Sequence, residues 1–291
     1  MDIVAKNLTF TYSPKSKNLS FRALGGVSVE IKAGEFFGII GKTGSGKSTF
    51  VQHINGLIKV QKNSGSLFVG DYDLTAKKCD YRGLRAKVGM MFQYPEHQLF
   101  AETVEDDVAF ALKNFMPHLS EKETENRVKS AIELVGLNYD AIKEKSPFDL
   151  SGGQKRRVAI AGVIVARPEI LVLDEPAAGL DPKGKREFLE LLVKLHNDFV
   201  KTIIIVSHDM NLVAEYCSKV SVFADGKILA TDTPKNIFSD KEVIEKSGLS
   251  LPLTAELTEK LQQQGIAIDS DFTVKDFTEK LVAAFSARGA K

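Results

Sequence analysis

The chain shows two kinds of hydrophobic pattern. In residues 2–12 and 27–35 apolar and polar positions alternate, which predicts antiparallel strands with one buried face. Later segments carry short, nearly continuous apolar runs, which predict strands that are buried on both faces. These later strands are expected within residues 35–41, 66–70, 88–93, 169–176 and 202–209, and a hairpin follows at 219–230.

Helical patterns separate the strands. Buried strands that alternate with helices predict an α/β fold whose mostly parallel sheet is covered on both faces. A helical insertion is expected at about 95–168, where Ser120 and Glu123 form a capping-box pattern. Helices are expected at 47–56, 103–115, 120–137, 151–166 and 182–198.

The pattern changes near residue 232. Leu253, Leu257 and Leu261 recur at four-residue spacing within residues 252–265. Phe277, Leu281 and Phe285 do the same within 273–289, so two short amphipathic helices are expected. We therefore expect a first domain at 1–231 and a small helical domain at 232–291, the latter as a dimer contact.

Composition narrows the function. Lys and Arg total 39 against 38 Asp and Glu in 291 residues, so the net charge of the chain does not attract it to nucleic acid or acidic lipid. The run Lys155, Arg156 and Arg157 is expected to be a solvated helix face. The two cysteines have no metal or redox spacing, which favours a reducing cytoplasm. No apolar run reaches the roughly 20 residues of a membrane span, although a membrane partner remains possible.

A phosphate-binding loop is expected at residues 41–49, "GKTGSGKST". Gly41, Gly46, Lys47 and Ser48 match G-x-x-x-x-G-K-[ST] between a buried strand and a helix. Glycines let backbone N–H groups surround an anion, and the helix N-terminus adds partial positive charge. Lys47 is expected to reach the β- and γ-phosphates and Ser48 to ligate Mg²⁺.

Polar residues follow other buried strands. Asp174 and Glu175 lie near the end of "ILVLDEP". Asp174 is expected to supply a carboxylate for Mg²⁺, and Glu175 to act as a general base that faces the attacking water. His208 follows another strand and is expected to touch the γ-phosphate. Gln93 could sense the γ-phosphate and the metal, or it could be a plain surface residue.

A second glycine-rich loop, "LSGGQ" at 150–154, opens a helix far along the chain from the first. Ser151 is expected to cap that helix, and Gly152 and Gly153 to expose backbone N–H groups, which makes a second anion site. Because one chain would not bring both loops to one nucleotide, we expect two chains to bind ATP head-to-tail between them.

Six features follow one another along the chain: "GKTGSGKS", Gln93, "LSGGQ", "LVLDEP", "GLD" and His208. With these features in this order, about residues 1–230 of the chain resemble the ATP-binding cassette (ABC) ATPases. The resemblance implies a P-loop NTPase cassette, an adenine contact by Tyr12 (plain strand packing is the alternative) and a trans contact by Asp181. Ala177 stands where many cassettes carry Thr or Ser. The expected sites are ATP binding by Tyr12, Gly41, Thr43, Gly44, Ser45, Gly46, Lys47, Ser48 and Thr49; catalysis by Glu175, His208 and Gln93; Mg²⁺ binding by Ser48, Gln93 and Asp174; and trans contacts by Ser151, Gly152, Gly153, Gln154 and Asp181.

Residues 92–110, "FQYPEHQLFAETVEDDVAF", and the short C-terminal domain resemble a narrower branch, the ATPases of energy-coupling factor (ECF) transporters. That branch implies uptake of vitamins or transition-metal ions, with a second identical or paralogous ATPase, a transmembrane coupling protein and a substrate-binding membrane protein as partners, and no nucleic acid. It places the chain at the cytoplasmic face of a bacterial membrane.

Two other classes of protein agree less well with the sequence. A soluble ABC ATPase that acts on nucleic acid or ribosomes usually has two cassettes, a coiled-coil insertion, zinc cysteines or strong positive charge, which this sequence lacks. A stand-alone P-loop kinase or GTPase is disfavoured by "LSGGQ".

The loop after Gln93 is the expected contact with the membrane partner. Glu96, Gln98, Leu99 and Phe100 are expected to form a docking surface, because Leu99 and Phe100 are apolar residues in an otherwise polar loop. Packing of the helical insertion onto the core is the alternative.

Overall fold

An antiparallel sheet forms the N-terminal part of the protein, as the alternating pattern predicts. The computed structural model describes residues 1–13 and 20–289. Four strands in this part pair in the order β2-β1-β4-β5. They are β1 (Ile3–Tyr12), β2 (Phe21–Ile31), β4 (Ser66–Val69) and β5 (Tyr72–Asp73).

A six-stranded sheet forms the centre of the molecule in the order β10-β9-β3-β8-β7-β6. All neighbouring pairs are parallel except β10 with β9, which form the predicted hairpin. The strand predicted at 88–93 ends at Met91, so Gln93 lies in the loop that follows. The strands are β3 (Phe36–Gly41), β6 (Val88–Met91), β7 (Ile170–Asp174), β8 (Thr202–Val206), β9 (Lys219–Ala224) and β10 (Lys227–Asp232).

Helices cover this sheet and form the insertion, and every predicted helix is present. Ser120 and Glu123 make the expected capping box. No helix in the described part of the chain is long and apolar enough to cross a membrane. The helices are α1 (Lys47–Ile54), α2 (Tyr81–Lys87), α3 (Val104–Phe115), α4 (Glu121–Leu134), α5 (Tyr139–Ile142), α6 (Gly152–Ile164), α7 (Pro182–Asp198), α8 (Met210–Tyr216), α9 (Pro234–Ser239), α10 (Lys241–Ser247), α11 (Leu253–Gln263) and α12 (Val274–Gly289), with 3₁₀ turns at Pro95–Gln98 and Pro147–Asp149.

Two hydrophobic cores lie on opposite faces of the central sheet. Alternate residues of β3 divide between them: Phe36 and Ile40 belong to one core, Phe37 and Ile39 to the other. The helical insertion contributes to the Phe36 core. The strand ends between the two cores are therefore rigidly held.

The C-terminal helices pack partly on the cassette. Phe238 and Ala255 join the Phe36 core, so the hydrophobic core continues across residue 232. A separate small cluster contains Ile266, Ile268 and Phe277. The apolar stripe predicted on α11 is only partly buried: Leu253 is 59% exposed and Leu257 37% exposed, whereas Leu261 packs against the small cluster.

Candidate functional site

The loops after four parallel strands meet at one edge of the central sheet. Val206 of β8 is in register with Ile39 of β3 and with Asp174 of β7, and Leu173 pairs with Met91 of β6. The carboxyl ends of these strands border a cleft of about 500 Å³. Its lining comprises Phe21, Ala23, Thr43, Gly44, Gly46, Lys47, Ser48, Thr49, Gln93, Asp174, Glu175, Val206 and His208.

The glycine loop between β3 and α1 needs residues without a side chain. Gly44 and Gly46 have φ of 81° and 101°, which favours glycine. A Cβ on Gly46 would lie 2.5 Å from the carbonyl oxygen of Ala23, whereas a Cβ on Gly44 would face open space. Gly41 and Ser45 are buried within the loop. The loop therefore turns its backbone toward the cleft at the N-terminus of α1.

Lys47 lies in the first turn of α1 with its ammonium held across the loop. Its Nζ donates to the carbonyl oxygens of Gly41 at 2.7 Å and Lys42 at 2.9 Å. Burial lowers the pKa of Lys47, and the nearby carboxylates of Glu175 and Asp174 oppose that shift. The positive charge thus lies where phosphate oxygens would enter the cleft.

Asp174 supplies a buried carboxylate at the end of β7. Burial raises the pKa of Asp174, while a hydrogen bond from Ser48 and the charge of Lys47 lower it. Its Oδ1 is buried without a hydrogen-bond partner among the described residues. An unpaired carboxylate oxygen beside a hydroxyl fits a Mg²⁺ ion, which prefers hard oxygen ligands. Gln93 is exposed and lines the same cleft.

Glu175 is half-buried and engaged by His208. The Glu175 backbone has a φ of 50°, and its N–H donates to the carbonyl oxygen of Val206 at 3.0 Å. Nδ1 of His208 lies 2.7 Å from Oε2 of Glu175. The imidazole side chain is 73% exposed, so it can reach a ligand in the cleft. The structure thus brings the carboxylate and the imidazole together as a pair.

Tyr12 lies beside the cleft at the end of β1. Its hydroxyl is 3.3 Å from Oγ1 of Thr49, and its ring packs edge-on against Phe10 at 4.8 Å. Phe21, which pairs with Tyr12 across the hairpin and is 56% exposed, lines the cleft itself. The sequence analysis missed Phe21, although an aromatic residue at the start of β2 mirrors the one at the end of β1.

The second glycine-rich loop lies outside this cleft. Ser151 caps α6 through a capping box with Gln154. A Cβ on Gly152 or Gly153 would meet nothing within 4 Å. Asp181 caps α7, and Gly153 and Asp181 line a separate cavity of about 390 Å³ between these helices. None of these residues is in the lining of the nucleotide cleft.

The expected docking surface needs correction. Leu99 is 6% exposed and belongs to the Phe36 core, so its expected exposure is wrong because it packs the insertion onto the cassette. Glu96 is paired with Arg156 of α6. Arg156 is only 6% exposed, so the prediction of a fully solvated helix face is wrong at this position. Phe100 remains exposed, and Gln98 is half-buried.

The fold, the phosphate loop and the strand-end carboxylates define an ATP-binding cassette. Residues 24–178, more than half of the chain, match the ABC transporter family. A curated relative from Clostridium tetani, the energy-coupling factor transporter ATP-binding protein EcfA2, is 45% identical over 98% of both chains. The chain therefore belongs to the ABC family and, within it, to the energy-coupling factor transporter ATP-binding proteins.

Solved structures agree with this assignment. The chain aligns with cbiO1 from Clostridium perfringens, described as part of the ABC transporter complex cbiONQ, at a TM-score of 0.71 and 39% identity over 88% of this chain and 98% of that one. It also aligns with the cassette MJ0796, which was solved as a dimer in a post-hydrolysis state bound to ADP and Pi. That alignment has a TM-score of 0.70 and 29% sequence identity, and it covers 80% of this chain and 98% of that one.

The family assignment confirms the expected fold class, ATP binding and ATP hydrolysis coupled to transport. The partners of this ATPase include a second ATPase and membrane components, and the protein is membrane-associated. The alternative of a soluble ATPase that acts on nucleic acid or ribosomes is not supported.

Proposed function

We propose that Glu175 activates the water that attacks the γ-phosphate of ATP. The pairing of Glu175 with His208 at 2.7 Å, in the cleft that also holds Lys47, is the observation that carries this proposal. A carboxylate bonded to an imidazole is held ready to accept a proton. His208 orients Glu175 and contacts the γ-phosphate, while Lys47 balances the phosphate charge.

Mg²⁺ is the proposed metal cofactor. The free Oδ1 of Asp174 and the hydroxyl of Ser48 support its binding, and Gln93, which lines the same cleft, is proposed as a further ligand. The ion would offset charge on the β- and γ-phosphate oxygens. Adenine stacks on Tyr12, and Phe21 offers a second aromatic surface beside it.

Two chains complete each ATP site in this proposal. Ser151, Gly152, Gly153 and Gln154 of one protomer and its Asp181 contact the nucleotide bound by the other. The open space at Gly152 and Gly153, the separation of both from the nucleotide cleft and the dimeric cassette among the similar structures support this arrangement. Residues 232–291 add a second dimer contact.

The transporter itself is proposed to be an importer of vitamins or transition-metal ions. The chain would lie at the cytoplasmic face of a bacterial membrane, under a transmembrane coupling protein and a substrate-binding membrane protein. Relatives named as energy-coupling factor ATPases support this proposal. A net charge of +1 agrees with the absence of a nucleic-acid partner.

The docking surface for the coupling protein is proposed around Phe100. Phe100 and Phe110 are 59% and 50% exposed, and their rings contact edge-to-face at 4.8 Å. Two adjacent exposed aromatic rings next to the Gln93 loop offer an apolar surface for a partner helix. Glu96 and Gln98 lie four and two residues before Phe100 and are proposed as part of the same surface.

Glu175→Gln tests the catalytic proposal. The variant keeps the side-chain volume and should still bind ATP, while hydrolysis falls by about 10²–10⁴-fold because the general base is lost. It should accumulate as an ATP-bound dimer in size-exclusion chromatography. Turnover within about threefold of the unmodified chain, far from the loss expected of a general base, would remove Glu175 from the mechanism.

Phe100→Ser tests docking. Copies of the chain with this change should bind ATP but lose co-purification with the membrane subunits, because an interface anchor is removed. Phe68→Ser, at a 39% exposed position on β4, is the matched control and should assemble normally. Normal assembly of the Phe100 variant would contradict the docking surface.

A further inference from the structure

Arg156 lies in the second turn of α6, where it connects this helix to two other segments. Its Nε donates to Oε2 of Glu96 at 3.3 Å, and its Nη2 lies 3.5 Å from Oε1 of the same carboxylate. Nη2 also donates to the carbonyl oxygen of Ala178 at 3.0 Å. Glu96 belongs to the 3₁₀ turn Pro95–Gln98.

These contacts join the parts of the machinery that must move together. The 3₁₀ turn of Glu96 begins two residues after Gln93, which lines the nucleotide cleft. Ala178 lies in the chain between Glu175 and Asp181. The helix that carries Arg156 begins beside Ser151. One side chain thus bridges the loop at the chain's own nucleotide and the two elements that serve the partner's nucleotide.

The Arg156 side chain is buried, so the geometry of its hydrogen bonds constrains the segments that it joins. Arg156 is 6% exposed, and its Nη1 has no hydrogen-bond partner among the described residues. A desolvated guanidinium is held by the few acceptors it has, and its planar fork fixes both distance and direction. A lysine at this position would keep the charge but not the fork.

The neighbouring Arg157 makes the same kinds of contact in other places. It donates to the carbonyl oxygen of Val135 at 2.8 Å and to Oε2 of Glu187 at 2.7 Å. These partners lie at the end of α4 and on α7, and neither belongs to the Gln93 loop. Arg157 is also less buried than Arg156, with a side chain that is 36% exposed.

We propose that Arg156 is a positioning residue that transmits the position of the Gln93 loop to the start of α6. Contact of Gln93 with one nucleotide then sets the placement of Ser151 at the nucleotide of the partner, so the two ATP sites of the dimer are coupled. The proposal rests on the composite sites of the proposed function and adds the residue that links them.

Arg156→Lys tests it, with Arg157→Lys as the matched control. The ATPase complex that co-purifies with the tagged full-length chain is assayed for ATP affinity, kcat, the Hill coefficient for ATP and melting temperature. Arg156→Lys should lower kcat by roughly tenfold or more and bring the Hill coefficient toward one, because small misplacements of reacting groups are costly. ATP affinity should stay within about twofold, since this side chain makes no contact in the nucleotide cleft. The Arg157 variant should keep kcat and the Hill coefficient.

Glu96→Gln removes the other half of the bridge and should reproduce the loss of kcat. The double variant should be no worse than the worse single one, because contacting residues do not contribute additively. If Arg156→Lys fails to fold, Glu96→Gln alone carries the test with the same readouts.

Unchanged kcat in Arg156→Lys, or an equal loss in Arg157→Lys, would overturn the proposal. So would a loss that follows the melting temperature alone, because that indicates a structural role. An inactive Glu175→Gln beside a normal Arg156→Lys would reject only this coupling, whereas an active Glu175→Gln would reject the proposed function.

Discussion

At the scale of the residue, Glu175 shows how the backbone supports the chemistry. A non-glycine residue in the left-handed region costs on the order of 1–2 kcal/mol. Glu175 adopts such a conformation with a φ of 50°, and its N–H is fixed to β8 through Val206. The central sheet therefore stabilises a local strain that directs the carboxylate toward His208.

His53 gives the protein a predictable response to acid. It is fully buried on α1, with Nδ1 2.7 Å from the carbonyl oxygen of Thr49 and its ring edge-on to Phe10. Burial lowers the pKa of His53 below its ordinary 6.5, and the hydrogen bond to Thr49 opposes that shift. Between the folded pKa and 6.5 the unfolded state binds more protons, so the free energy of unfolding falls as the pH drops below 6.5.

Denaturant unfolding of His53→Phe should therefore show a weaker loss of stability at acidic pH. Each pKa unit of difference between folded and unfolded states contributes about 1.4 kcal/mol, and phenylalanine removes this contribution. His118→Gln at an exposed position is the control and should keep the acid response of the unmodified chain. An identical slope in the His53 variant would contradict a buried neutral imidazole.

The sequence predicted residues whose chemistry is local. Lys47, Ser48, Asp174 and Glu175 stand at fixed positions after strands, and the structure places all four in one cleft. The sequence predicts a solvated Arg156, whereas the structure buries it against partners that are distant in the chain, Glu96 and Ala178. Spacing within a segment carries no information about such tertiary contacts.

At the scale of the element, one carboxylate holds the docking loop on the helical insertion. Oδ2 of Asp107 on α3 accepts the backbone N–H groups of Phe100 at 2.8 Å and Ala101 at 2.9 Å. Asp107 is 9% exposed, so these two N–H groups would lack a partner without it. The exposure of Phe100 therefore depends on a buried acid one turn inside the helix.

Asp107→Ala should lower the free energy of unfolding by about 1–3 kcal/mol, because two part-buried backbone donors lose a charged acceptor. Asp106→Ala is the control, because Asp106 pairs with Lys113 at the surface and should change stability less. Chemical denaturation of both variants measures the difference. Equal losses would show that the carboxylate of Asp107 does not hold the loop.

Helix periodicity predicted that the C-terminal helices form, but it did not predict which of their apolar residues are buried. Phe277 is 6% exposed as the α12 stripe predicts, whereas Phe285 of the same stripe is 51% exposed. The period identifies an amphipathic helix but does not say whether its apolar face meets the same chain. The loop residues Ile266 and Ile268 fill the small core instead.

At the scale of the whole molecule, the apolar face of α12 offers a test of the proposed second dimer contact. Val274, Val282 and Phe285 are 62%, 60% and 51% exposed on one helix. Val282→Glu should weaken dimers formed without ATP, measured by analytical ultracentrifugation, because a charge at an apolar contact must be desolvated. Ser286→Glu adds the same charge at a neighbouring exposed position and serves as control. Unchanged dimerisation of the Val282 variant would exclude this face.

In the proposed head-to-tail dimer each ATP site depends on two chains, which allows two different lesions to be separated. Lys47→Ala removes the charge aimed at the phosphates of the chain's own nucleotide, so it should weaken ATP binding and turnover. Ser151→Arg places a bulky cation at the start of α6, so it should leave ATP binding to the single chain intact and block closure on the partner's nucleotide. Alone, each variant carries one lesion in both composite sites of a homodimer.

Where two copies of this chain pair with each other, mixed dimers of these two variants should regain activity. In a head-to-tail dimer one composite site contains both Lys47→Ala and Ser151→Arg, and the other contains neither. Copies with different affinity tags, purified through both tags in turn, isolate that mixed species. Its ATPase rate should exceed that of either parent dimer and stay below the unmodified rate, because only one of its two composite sites is intact. Two unmodified chains with different tags, purified in the same way, provide the reference. No recovery in mixed dimers whose composition is verified by mass spectrometry would mean that both residues serve the same nucleotide, which contradicts the head-to-tail arrangement.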